Sequence, residues 1–198
     1  MERENQRVAI TRRLLKESLL RLLKDKEIDK ITISELCRDA CVNRATFYRH
    51  YEIPRDVLMD IQRDLYHQIR KDVPMPQTVD DAKLALETLC RSMEENKNLL
   101  RLLILNNSDT DFASFISDIY MEIWNDYGQI PLLRDLNPED IRLLMLYSAG
   151  GSYFVLRSWV MGSIRKSAQE MADYVWELMN RMDIAALCAR FGLGGEDA

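Results

Sequence analysis

The chain is poor in the residues that break or staple structure: its 198 residues include seven Gly, five Pro and four Cys. So few breakers exclude a collagen-like or Pro/Gly-rich disordered chain. The 47% apolar and 30% charged content is that of a folded, helix-rich globular protein. Cys37, Cys41, Cys90 and Cys188 lack the spacing of a small secreted disulfide framework, so they are expected to stay reduced and to serve as small core hydrophobes. There is no long hydrophobic run: the longest charge-free stretch, Leu143 to Leu156, is 14 residues, too short to cross a bilayer. Met1 to Asn5 carry no apolar export segment, and a cytoplasmic protein without a membrane partner is expected. No Cys or His near Cys37 and Cys41 completes a ligand set, so that pair reads as core packing and no metal or other cofactor is expected. Paired carboxylates, a nucleophile with its base and a phosphate-binding Gly loop are all missing, so an enzyme is not expected.

Negative charge dominates, with a net of -5, but not evenly. Residues 1 to 71 hold 16 Lys+Arg against 12 Asp+Glu, net +4, and residues 72 to 198 hold 11 against 20, net -9. A face that meets phosphate has to be basic only locally, and the N-terminal third is the basic end.

Helical periodicity runs through the whole chain, with no alternating strand stretch and no internal repeat. Val8, Leu15, Leu19 and Leu22 mark a first helix over residues 5 to 23. Thr32-x-x-Glu35 is a capping box that opens a second helix to about Ala40. Cys41-Val42 makes a turn, and Asn43 caps a third short helix to about His50. Pro54 suits the first position of a fourth helix reaching Lys71. Pro74 and Pro76 punctuate a linker, which predicts two domains, 1–71 and 78–198. Further helices are predicted over 80–96, 98–106, 110–127, 138–162 and 168–191, the last opened by the capping box Ser167-x-x-Glu170 and closed by Gly192. Met171, Tyr174, Val175, Leu178, Met182, Ala185 and Ala189 form one apolar stripe on that last helix, and the stripe needs a partner surface.

Two short helices around a tight turn can brace one another so that the second enters the DNA major groove. Ile33, Leu36, Cys37, Ala40, Val42 and Phe47 are then expected to face inward, leaving Asn43, Arg44, Thr46, Tyr48, Arg49 and His50 outward or partly so. Arg reads guanine O6 and N7, Thr offers a methyl or hydroxyl, and Tyr, Arg and His hold phosphates. The ordinary alternative is a helical hairpin without DNA.

The residues Thr32-Ile33-Ser34-Glu35-Leu36-Cys37 and Val42-Asn43-Arg44-Ala45-Thr46-Phe47-Tyr48-Arg49-His50-Tyr51 resemble the DNA-binding domain of TetR/AcrR-family regulators, over about residues 8 to 60. The resemblance implies major-groove contact from Arg44, Ala45 and Thr46, and phosphate contact from Thr32, Tyr48 and His50. Members usually have Gly where Cys41 stands, so the turn here must avoid positive φ or accept strain of order 1 kcal/mol. They commonly carry a phosphate-binding Lys where Pro54 stands, a role expected to pass to Arg55. Residues 80 to 192 are similar to the family's regulatory domain in helix count and order. By that resemblance the apolar stripe of the last helix becomes a dimer surface within a four-helix bundle.

The expectation is therefore an all-α chain: an N-terminal three-helix helix-turn-helix domain and a C-terminal helical regulatory and dimerisation domain. It would act as a transcriptional regulator, in the first instance a repressor, binding a palindromic double-stranded operator as a homodimer. A small apolar effector or a protein partner at the C-terminal domain would modulate it. The alternative is a DNA-binding-deficient relative acting as a coactivator or ligand-binding partner. Gly150-Gly151 in mid-helix suggests close packing or a kink, with a ligand void as the functional option. Trp124, Met145, Tyr147, Tyr153, Phe154 and Trp159 suit core packing or a pocket lining, and His67 suits solvent.

Overall fold

A computed structural model describes residues 2–74, 79–106, 112–119 and 138–181, and all secondary structure among them is helical. The elements are α1 (Glu2–Leu22), a 3-10 turn at Ile28–Lys30, α2 (Ile33–Asp39), α3 (Arg44–Phe47), α4 (Pro54–Asp72), α5 (Val79–Glu95), α6 (Lys97–Asn106), α7 (112–119), α8 (Pro138–Met161) and α9 (Ala168–Arg181). The chain divides into two compact units, Met1–His67 and Gln68–Ala198. Helix α4 begins in the first unit and ends in the second.

The first unit is built on the 3.6-residue period of α1. Leu15 and Leu19 are fully buried with Leu36 of α2, Phe47 of α3, and Val57 and Leu58 of α4. Polar clasps hold the crossings. The buried Ser18 hydroxyl donates to the Asp39 carboxylate at 2.6 Å, and Arg21 reaches the same oxygen at 2.7 Å, so α1 grips the end of α2. These two hydrogen bonds, against only a small burial penalty, hold Asp39 below its usual carboxylate range.

In the second unit α5 packs along α9, and α6 and α9 both pack against α8. Trp159, Met93, Leu100, Leu103, Phe112 and Ile116 are the largest fully buried side chains of this core. The Trp159 indole N–H is satisfied by the Lys166 carbonyl at 2.7 Å, with Lys97 Nζ over its ring at 4.4 Å. Helix α8 ends at Gly162, whose φ of 88 is the left-handed conformation glycine adopts without a β-carbon penalty, and Arg101 donates to the Val160 carbonyl there.

Several expectations change. The stripe on α9 is divided: Met171 and Val175 are buried, whereas Tyr174 and Leu178 are each 55% exposed. Helix α5 packs along α9, so part of the stripe that was expected to serve as a dimer surface is covered within the chain. Among the described residues a β-carbon added at Gly150 or Gly151 would meet nothing within 4 Å, so close packing there does not explain these glycines. Tyr153 and Trp159 are core, but Tyr147 and Phe154 project outward. Cys37 and Cys90 are buried as expected, and Cys41 is exposed. Burial pushes the Cys90 thiol up to about 12, with the nearby Glu94 and Glu87 adding to the shift. His67 is exposed. Trp124, Met182, Ala185, Cys188, Ala189 and Gly192 lie outside the described residues, as does the side chain of Met145.

Candidate nucleic-acid interface

The four-residue break between α2 and α3, Ala40 to Asn43, sets the interface geometry. Helix α2 starts as its capping box predicts: the Thr32 hydroxyl accepts from the Glu35 N–H at 3.2 Å. The Glu35 carboxylate in turn takes hydrogen bonds from Lys26 and from the Thr32 backbone, which lower its pKa. The helix ends in a Schellman turn: Val42 N–H donates to the Cys37 carbonyl at 2.9 Å and Cys41 N–H to the Arg38 carbonyl at 3.3 Å. Such a turn needs one residue in the left-handed region, and Cys41 supplies it with φ 53. Of the two options open to a turn without glycine, the chain takes the strained one. Asn43 then caps α3 by accepting from the Ala45 N–H at 2.8 Å.

Helix α3 ends at Phe47, short of the expected end near His50; it buries Phe47 completely and turns Arg44 and Ala45 to solvent, and in the turn that follows Arg49 is exposed and Tyr48 60% exposed. Thr46 and His50 are half-buried at the edges of that face, and Asn43 and Thr32 are exposed at the helix starts. The nine predicted site residues thus fall on the cap of α2, the cap and outer side of α3, the turn that follows α3 and the first turn of α4. Leu36, Cys37, Ala40 and Phe47 form the inward side, with Ile33 and Val42 half-buried beside them. Arg55 is held by Asp29 at 2.6 Å in an exposed ion pair. Pairs of that kind contribute on the order of 0–1 kcal/mol and exchange readily for another anion.

A group around Tyr51, to which the sequence pattern assigned no role, fixes the chain just beyond α3. Tyr51 is buried, with its ring 5.9 Å from that of Phe47 and 6.4 Å from that of His50. Its hydroxyl donates to Asp60 Oδ2 of α4 at 2.6 Å and accepts from Arg12 Nε of α1 at 3.2 Å. Arg12 also reaches Asp60 Oδ1 at 2.6 Å, and Lys16 Nζ lies 2.8 Å from Oδ2. Burial alone would raise the Asp60 pKa, but hydrogen bonds from Arg12, Lys16 and Tyr51 together outweigh it and hold the carboxyl far below its usual range. Burial, then the Asp60 hydrogen bond, pushes the Tyr51 phenol up to about 12. Arg12 and Lys16 on α1 face Asp60 and Asp64 on α4, each pair four residues apart. That complementary spacing was the available sequence signal, but it does not announce which helices will meet.

Two short helices joined by a Schellman turn, with a basic and aromatic outer side on the second, define a helix-turn-helix protein of the transcription-regulator class. Residues 80–181 match the TetR_C_8 family, described as the transcriptional regulator C-terminal region. The chain belongs to the TetR family of transcriptional regulators. It is 24% identical over 84% of its length to YxbF of Bacillus subtilis (strain 168), named an uncharacterized HTH-type transcriptional regulator, and spans 44% of that relative's length. Its fold is similar to the crystal structure of a TetR transcriptional regulator from Streptococcus agalactiae 2603V, with TM-score 0.64, 20% identity, and coverage of 89% of this chain and 97% of that one. It is also similar to the dihydroxyacetone kinase operon activator DhaS, with TM-score 0.62, 15% identity, and coverage of 89% and 98%.

Proposed function

We propose that this chain binds a palindromic operator as a homodimer, through Thr32, Asn43, Arg44, Ala45, Thr46, Tyr48, Arg49, His50 and Arg55. The observation that carries this reading is the outer side of α3 and of the turn after it, where Arg44, Ala45, Tyr48 and Arg49 are exposed while Phe47 anchors the helix from below. Arg44 at the start of α3 reads a base edge, Ala45 and Thr46 meet thymine methyls, and Tyr48, Arg49 and His50 hold phosphates. Two copies present their α3 helices about 34 Å apart, one helical turn of DNA. Bound over a promoter, the dimer excludes polymerase and represses.

A small apolar effector or protein partner at the second unit acts through α4, the continuous helix from Pro54 to Asp72 that belongs to both units. Such coupling is worth about 1–3 kcal/mol, or about 5- to 150-fold in operator affinity. Selection of bound sequences from a random DNA pool tests the reading, since it requires enrichment of an inverted repeat. Mobility-shift titration then places the contacts: Arg44→Ala and Tyr48→Phe each weaken operator binding, and unchanged affinity in both removes α3 from the interface.

A further inference from the structure

The Arg44 guanidinium does not project freely from α3. One of its terminal nitrogens donates to the Ser34 hydroxyl, in the first turn of α2 and 10 residues earlier in the chain. Both residues are exposed, so no core packing forces the contact. Burial raises the pKa of the Cys37 thiol, on the same helix as Ser34, and the Arg44 charge acts against that rise. The turn through the left-handed Cys41 starts α3 where the long Arg44 side chain can reach Ser34 in the first turn of α2.

A guanidinium has five N–H donors in a rigid plane, and reading a guanine edge uses two of them. The Ser34 hydroxyl occupies one, so the fork remains competent while the long side chain loses much of its rotamer freedom before DNA arrives. An arginine held in this way spends less of its binding free energy on becoming ordered, and its preference for one base is sharper because the plane cannot tilt to suit another. From this geometry we infer that Ser34 is a specificity-determining positioning residue, aiming the Arg44 guanidinium at a guanine in each half-site. The inference rests on the operator-binding reading above and adds a residue outside the predicted contact set.

The test uses the full chain and the inverted repeat selected from random DNA. Ser34→Ala is expected to weaken binding to that repeat by about three- to tenfold, the size of one lost hydrogen bond. It should relax the preference at a single symmetric position and leave binding to unrelated DNA and the thermal midpoint unchanged. Ser34→Thr, which keeps the oxygen, should restore both affinity and preference. In an Arg44→Ala background, Ser34→Ala should have no further effect. If the wild-type chain enriches a repeat but Ser34→Ala binds it equally well, or the loss persists undiminished without Arg44, the inference is overturned while the operator-binding reading stands. If the wild-type chain enriches no sequence, both fall together.

Discussion

Cys41 shows how a single backbone angle records a departure from a family pattern. At φ 53 its β-carbon crowds the neighbouring carbonyl, at a cost of roughly 1–2 kcal/mol, yet the turn forms because two hydrogen bonds and the burial of Phe47 depend on it. Cys41→Gly removes the crowding and returns roughly 0.5–1 kcal/mol of it as unfolded-state freedom. The expected outcome is a net gain of about 0.5–1 kcal/mol, seen as a higher urea midpoint with an unchanged slope. Asp60 works in the opposite sense. Removing its carboxylate in Asp60→Ala leaves Lys16 and Arg12 facing a buried gap. The expected loss is about 2–4 kcal/mol, less than for a wholly buried pair because Arg12 is 42% exposed. Its low folded pKa means that this stability is present above the ordinary aspartate value of 3.8 and is lost as pH falls towards the folded one. Unfolding free energy measured from pH 7 downwards should therefore drop below about pH 4 in the wild type and respond less steeply in Asp60→Asn. Equal acid sensitivity in the two would assign the effect to Glu35, Asp39 and Glu170, whose pKa values are also lowered.

Individual helices here are defined by their ends more than by their middles. Helix α9 opens with a reciprocal cap: Glu170 N–H donates to the Ser167 hydroxyl oxygen at 3.2 Å, and Ser167 N–H donates to the Glu170 carboxylate at 2.8 Å. Ser167→Ala should cost about 1 kcal/mol and speed amide exchange in the first turn of α9. Its effect should stay local, because Met171 and Val175 keep the helix anchored. Helix α8 carries the opposite feature, two glycines where a β-carbon would touch nothing among the described residues. Judged on the chain alone, Gly150→Ala should raise the thermal midpoint, by the equivalent of up to about 1 kcal/mol of helix propensity. A lower midpoint would show that another surface covers α8 in solution.

At the scale of the whole molecule, α8 leaves Leu143, Leu146, Tyr147 and Phe154 between 57% and 71% exposed, at steps of three, four and seven residues. Helix α9 adds Tyr174 and Leu178 one turn apart. So many large apolar groups are seldom left in water, and a second copy is the occupant that the homodimer proposal requires. Sedimentation should find a dimer at micromolar concentration and a monomer for the double variant Phe154→Lys/Leu178→Glu. A monomeric wild type would remove the dimer from the proposal. Charge distribution adds a further expectation: a net +4 over residues 1 to 71 implies DNA affinity that falls steeply with salt, in proportion to the phosphates neutralised.

Element order, the two capping boxes and the position of the turn were all legible in the sequence, because each depends on residues no more than four apart. Thr32 with Glu35, Asn43 with Ala45 and Ser167 with Glu170 meet whatever the rest of the chain does. The resemblance across Val42 to Tyr51 belongs to the same local category. Tertiary structure decided what depends on how helices cross. It joined Arg12 to Asp60 across 48 residues, set Ser34 beside Arg44, and buried Met171 and Val175 of the α9 stripe within the chain while leaving Tyr174 and Leu178 outside. Periodicity names the apolar face of a helix but not the partner that covers it, since that choice is made by packing between segments far apart in the chain.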